Sequence, residues 1–227
     1  MKNKWMVGVF LLLACPTWMN GKDVLEFGNK NSERKHVLAD SLTEAYVGGL
    51  KQPARRILPR EETDWRGGWL RFNMNVDSER QNYFTVRCWG GEADRCMVLL
   101  FIEGKQVGYR HLGDYDLLHF GNGEAPCPGR FYYITLPLPM QYTKGKKSVE
   151  LEIRAYGSTW GYGETFERYQ KNMEESTVGF YKAYVDTTSC IMPDKKEVQG
   201  YYEVSKAPVR PSPGPVSYTH LTLPTTY

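Results

Sequence analysis

The stretch Trp69-Leu70-Arg71-Phe72-Asn73-Met74-Asn75-Val76 sets Leu70, Phe72, Met74 and Val76 on one side of an extended chain and Trp69, Arg71, Asn73 and Asn75 on the other. A period of two with every large aliphatic or Phe side chain on one side predicts a half-buried β-strand. The same grammar repeats outward from it. Past the turn-like Asp77-Ser78-Glu79-Arg80-Gln81-Asn82, the run Tyr83 to Trp89 puts Phe84, Val86 and Cys88 on a common face. Gly90 to Asp94 reads as a turn into Cys96 to Ile102, a continuous apolar run that predicts a strand covered on both sides. These two strands are expected to pair as a hairpin. Glu103-Gly104-Lys105-Gln106 is a further turn, with strands predicted at Val107 to Leu112, Phe131 to Leu136, Ser148 to Ala155 and Phe180 to Val185. In the third of these, Val149, Leu151 and Ile153 alternate with Glu150, Glu152 and Arg154. Only Glu164 to Met173 invites a helix. Short antiparallel strands separated by Gly-rich turns define an all-β class, a sandwich or jelly roll with one short helix.

Composition agrees with this class. The 227 residues are 41% hydrophobic, enough to bury a core, and include 16 Tyr, 6 Trp, 22 Gly and 13 Pro. The balance of 29 basic against 26 acidic residues excludes the positive surplus of a nucleic-acid-binding surface.

The two ends have a different character. Lys2 and Lys4, the apolar stretch Trp5 to Ala14 and then Cys15 form an export signal, too short to span a bilayer in the usual way. Leu12-Leu13-Ala14-Cys15 resembles a bacterial lipoprotein site, at which the Cys15 thiol is lipidated and becomes the new N-terminus. The alternative is an ordinary signal peptide cut slightly later. Lipidation implies an exported, membrane-anchored protein at the periplasm or cell surface, held by lipid rather than by charge. At the other end, Lys206 to Pro215 is a Pro-rich spacer. Residues 216–227 carry no Asp, Glu, Lys or Arg, and resemble translated adapter read-through at the end of an assembled gene. The other reading is a genuine polar tail. The expected organisation is a signal region over 1–21, a linker over 22–36, the sandwich over 37–190, a Pro-rich linker over 191–215 and a non-native tail over 216–227, with a further domain following Pro215 in the parent protein.

Three pieces, QNYFTVRCWG, MVLLFIEGKQVG and KGKKSVELEIRAYGS, resemble in their order a galactose-binding-like β-sandwich module. Such modules accompany bacterial glycan-degrading enzymes. The resemblance covers about Val37 to Cys190 and implies a noncatalytic accessory role, either binding sugar or packing against a catalytic domain. Some members carry structural calcium. The absence of a dense Asp/Asn loop leaves no reason to carry that metal across, and no cofactor is expected.

Chemistry-bearing residues are sparse. Cys88 and Cys96 flank the expected hairpin on its inward face and are candidates for a disulfide, the alternative being two buried thiols. Cys127 and Cys190 are a weaker pair. No GxSxG, HExxH or P-loop occurs, and no CxxC pair suggests zinc. His111, Asp114 and Asp116 could share one loop as the active site of a glycoside hydrolase or lyase. Their plainer reading is a turn stabilised by Asp side chains. Sugar binding asks for less: an aromatic ring for the C–H face of a pyranose and polar groups for its hydroxyls. Two mixtures supply that, Trp65 with Trp69 and Arg71, and Trp160 with Tyr162 and Glu164. The competing fate of any such ring is core packing.

Overall fold

The computed structural model describes residues 23–61, 63–92, 96–110, 129–157 and 171–201. It is a sandwich of two antiparallel sheets, as the strand grammar predicts. The first sheet contains β1 (Asp23–Glu26), β3 (Thr43–Val47), β4 (Pro53–Ile57), β6 (Asn82–Trp89), β9 (Phe131–Leu138) and β11 (Phe180–Asp186), in the order β3-β4-β11-β6-β9 with β1 also on β11. The second contains β2 (Ala39–Ser41), β5 (Arg66–Asn75), β7 (Met97–Ile102), β8 (Lys105–Arg110) and β10 (Ser148–Tyr156), in the order β2-β5-β10-β7-β8.

The core is built by the inward residues of both sheets. Leu70, Phe72 and Met74 of β5, Leu151 and Ile153 of β10 and Leu100 and Ile102 of β7 meet Phe84 and Cys88 of β6 and Phe180, Ala183 and Val185 of β11. The Phe72 ring sits 5.7 Å from Phe27 and 6.2 Å from Phe84, linking the layers. Alternation in the sequence therefore marks which side of each strand is buried. The β7–β8 turn also follows from local chemistry. Glu103 and Gly104 both have positive φ, the requirement of a two-residue turn whose twist matches its strands.

Two expectations are corrected. β6 and β7 do not form a hairpin, because they lie in different sheets. Cys88 and Cys96 are accordingly buried as thiols in the core rather than joined as a disulfide, and Cys96 Sγ donates to the Glu175 carbonyl at 3.4 Å. The helix expected at Glu164–Met173 lies outside the described residues over 164–170, and residues 171–173 are not helical. Among the described residues the α-helices are α1 (Lys30–Lys35) and α2 (Met140–Thr143).

The folded unit also reaches further than residues 37–190. Asp23 to Glu26 pair with Val185 to Lys182. Asn29 caps α1 by accepting from the Asn31 and Ser32 amides. Glu33 on α1 accepts from the Gly28 amide at 2.7 Å and grips Arg55 of β4 with both oxygens at 2.9 Å. Burial alone would raise its carboxyl, but the Arg55 and Gly28 donors prevail and hold it below the usual carboxylate range. Beyond β11, residues 191–201 lie on the outer face of the first sheet. There the Phe131 amide donates to the Gln199 carbonyl at 2.8 Å and the Tyr201 ring meets Trp89 edge-on.

Candidate functional site

The pairing of β5 with β10 builds a polar cleft on the outer face of the second sheet. Arg71 stands opposite Glu152, Trp69 opposite Arg154, and Arg66 opposite Tyr156. Outward residues alternate on both strands, and a register shift between Arg154 and Tyr156 brings Arg66 opposite Tyr156, so the pairing gathers an indole, a phenol, three guanidiniums and a carboxylate. Arg60 joins from the β4–β5 connection, which is held to β5 by the bridge from Pro59 to Gly67. The cleft is open to solvent on one side and has a volume of about 310 Å³.

Glu152 is the floor of this cleft. Its side chain is 8% exposed, and Oε2 accepts from Arg71 Nη2 at 2.6 Å and Nε at 2.8 Å. Its other oxygen, Oε1, accepts from Arg154 Nε. Each arginine is also steadied by a ring: the Arg71 guanidinium lies 4.8 Å from the Trp69 centroid and that of Arg154 lies 4.0 Å from Phe101. Trp65 stacks on Tyr156 at 4.9 Å and 25° between ring planes, with the Arg66 guanidinium 5.4 Å from its centroid. At the rim, the Arg66 amide donates to Asp64 at 2.9 Å, and that bond, with the Arg66 and Arg60 charges, holds the Asp64 carboxyl below its usual range.

Of the residues singled out from sequence, Trp65, Trp69 and Arg71 come together here, Trp65 stacked over the buried Tyr156 and the other two in the lining. Arg60, Arg66, Glu152, Arg154 and Tyr156 were not anticipated as site residues. Their signal was the polar half of the β10 alternation, which means little until the strand beside it is known. Trp160, Tyr162 and Glu164 lie outside the described residues, as do Cys15, His111, Asp114, Asp116 and Cys127. The residues flanking the Trp160 stretch are nevertheless fixed beside the cleft. The Gly157 amide donates to the Trp65 carbonyl at 2.7 Å and the Met173 amide to that of Asp64 at 2.9 Å.

The outer face of the first sheet is also rich in polar and aromatic groups, but the chain itself covers it. Arg87 is fully buried there under Glu197 and the Val198 carbonyl. At one end of this face Tyr46 and Tyr181 donate to Glu92 Oε1 at 2.8 and 2.6 Å. Burial and the Glu92 charge push both phenols far above their ordinary range, so they act as fixed donors and not as nucleophiles. Among the described residues no group of three or more His, Cys, Asp or Glu side chains could hold a metal ion.

No protein-family model matches the chain. No curated protein matches it in sequence. Among solved structures, it is similar to the C-terminal CBM6 of LamC, a marine laminarinase from Zobellia galactanivorans, at 8% identity and a TM-score of 0.42 over 73% of this chain and 99% of that one. It is similar also to a family 35 carbohydrate binding module from Clostridium thermocellum, at 9% identity and 0.38 over 74% and 99%. A third is the carbohydrate binding module CBM6cm-2 from Cellvibrio mixtus lichenase 5A in complex with cellotriose, at 10% identity and 0.38 over 73% and 96%. The β-sandwich class of this chain rests on its own two sheets.

Proposed function

We propose that the chain is a noncatalytic carbohydrate-binding β-sandwich, accessory to a larger exported glycan-degrading protein. The observation that carries this reading is the cleft over β5 and β10. The half-buried Trp69 ring provides aromatic surface beside the Arg60, Arg66, Arg71 and Arg154 donors, in a space of about 310 Å³. That volume suits one or two sugar rings, and the mixture of apolar surface with a few converging polar groups is what a sugar site requires. Affinity electrophoresis of the purified chain through gels holding individual polysaccharides tests it. At least one polymer should retard the protein, and Trp69→Ala should weaken that retardation by about tenfold, equivalent to about 1.4 kcal/mol. Release of reducing sugar from a retarding polymer would overturn the noncatalytic reading and direct attention to His111, Asp114 and Asp116.

Export and anchoring belong to the same proposal and are supported by Lys2, Lys4, the apolar Trp5 to Ala14 and Cys15. Acyl attachment needs the Cys15 thiol, so Cys15→Ser should move the protein out of the membrane fraction or leave it unprocessed. Wild-type protein found soluble, with an N-terminus past Cys15, would refute the anchor.

A further inference from the structure

We infer that the cleft over β5 and β10 selects acidic glycans, sugars that carry carboxylate or sulfate groups, rather than neutral ones. The inference rests on the carbohydrate-binding reading and narrows its ligand.

Donor and acceptor chemistry drives the argument. A neutral pyranose presents hydroxyls that both give and accept hydrogen bonds, so a site for it needs side-chain acceptors as well as donors. An arginine has five N–H donors and no acceptor. Among the described residues the lining holds Arg60, Arg66, Arg71 and Arg154 against one carboxylate, Glu152. Both Glu152 oxygens are already engaged, Oε2 by Arg71 and Oε1 by Arg154. The charged side chains of the cleft can therefore donate to a ligand but have little capacity to accept from one. A group with several acceptor oxygens and a negative charge completes such a wall.

The arrangement is also preorganised for an anion. Arg71 is held between the Trp69 ring and Glu152, and Arg154 between the Phe101 ring and Glu152. Planar guanidiniums fixed in this way lose little freedom when they grip a carboxylate or sulfate through paired N–H groups. Their side chains remain 41% and 30% exposed, and those of Arg66 and Arg60 at the rim 53% and 49%. Among the described residues two further acids approach the cleft. Asp64 lies between Arg60 and Arg66, and the half-exposed Glu150 is 3.5 Å from Arg71. They reduce the positive charge without reversing it. The concentration is local, since the whole chain carries only +3.

The test is isothermal titration of the purified chain with two acidic polymers and their neutral counterparts. Polygalacturonate against carboxyl-reduced polygalacturonate probes carboxylate. Iota-carrageenan against its desulfated form probes sulfate. Inorganic polyphosphate serves as a polyanion without sugar. We expect one acidic polymer to bind at least tenfold more tightly than its neutral counterpart and than polyphosphate, with affinity falling as salt is raised. Which polymer does so identifies the acidic group. Arg66→Gln, on an exposed side chain, and Arg71→Gln, which leaves Glu152 paired with Arg154, should each reduce that preference at least threefold while circular dichroism stays unchanged. Equal affinity for an acidic polymer and its neutral counterpart would overturn the acidic preference and leave the carbohydrate-binding reading standing. Polyphosphate binding as tightly as the best polymer would show simple ion exchange and overturn it as well. Failure of every polymer, acidic and neutral, to bind would overturn both readings.

Discussion

Arg87→Ala should lower the stability of the sandwich by about 3 to 5 kcal/mol, the usual cost of removing one member of a buried ion pair. For a domain of this size that is roughly 10 °C in the thermal midpoint. Arg87 has no exposed surface. Its Nη1 donates to Gln52 Oε1 at 2.7 Å, its Nη2 donates to the Val198 carbonyl, and the guanidinium centre lies 3.5 Å from the Phe131 ring centroid. Nε lies 3.3 Å from Glu197 Oε1 as an ion pair. Glu197 keeps Lys182 at 3.4 Å and the Tyr184 hydroxyl at 2.7 Å, but loses the partner that is fully shielded from water. The same change should loosen residues 197–201 on the first sheet, because Arg87 ties Glu197 and Val198 to β6 beside the Tyr201–Trp89 contact. Urea unfolding gives the energy, and limited proteolysis between β11 and Tyr201 gives the local effect. A loss below about 1 kcal/mol, with the segment still protected, would mean that the aromatic contacts of Tyr201 and Trp89 hold it and the charge does not.

Much of the fold was legible because burial follows alternation. β5 and β10 read correctly since each puts its aliphatic and Phe side chains on one side, and β7 read correctly as covered on both faces, with Met97, Leu99 and Phe101 buried on the side away from the main core. The failure lay between strands. Phe84 and Cys88 of β6 and Leu100 and Ile102 of β7 face a common core. That is equally true of two neighbours in one sheet and of two strands in opposite sheets, so alternation cannot choose, and the sequence-adjacent pairing was the wrong choice. The strands before residue 66 were missed for another reason. Pro53-Ala54-Arg55-Arg56-Ile57 reads as solvated, yet Arg55 is largely buried because Glu33 of α1 and Asp40 neutralise it. Ion pairs between distant residues leave no local pattern.

The site was legible by half. Trp69 and Arg71 stand on the outward side of β5, as the period of two requires, and Glu152 and Arg154 on the outward side of β10. What no single strand records is the register that sets Arg71 against Glu152 and Trp69 against Arg154. A near-neutral composition also hides a local concentration of four arginines. The sequence pointed to exposed rings as the platform for a sugar, whereas the Trp69 ring carries a guanidinium and the Trp65 ring is stacked on the buried Tyr156. The polar character of the cleft therefore outweighs its aromatic one.

Glu152→Gln separates charge from preorganisation as the source of affinity. The substitution keeps the shape of the side chain and removes its charge, leaving Arg71 and Arg154 facing each other across a neutral amide. Stability should fall by about 3 kcal/mol, the low end of the range for a broken buried pair, since both guanidiniums retain access to water. The effect on binding is the sharper result. If net charge alone attracted an acidic glycan, removing a carboxylate from the floor would tighten binding. If Glu152 holds the two forks in place, Arg71 and Arg154 must be ordered by the ligand itself, and the cost of fixing long side chains appears as lost affinity. We expect weakening of about tenfold for the best acidic oligosaccharide, equivalent to about 1.4 kcal/mol, measured at a temperature where the variant is fully folded. Tighter binding by the Gln variant would show that the cleft works as a diffuse positive field and that the geometry of its arginines is incidental. Weaker binding, with the salt dependence retained, would place the selectivity in the paired arrangement of Arg71 and Arg154 that the β5–β10 register creates.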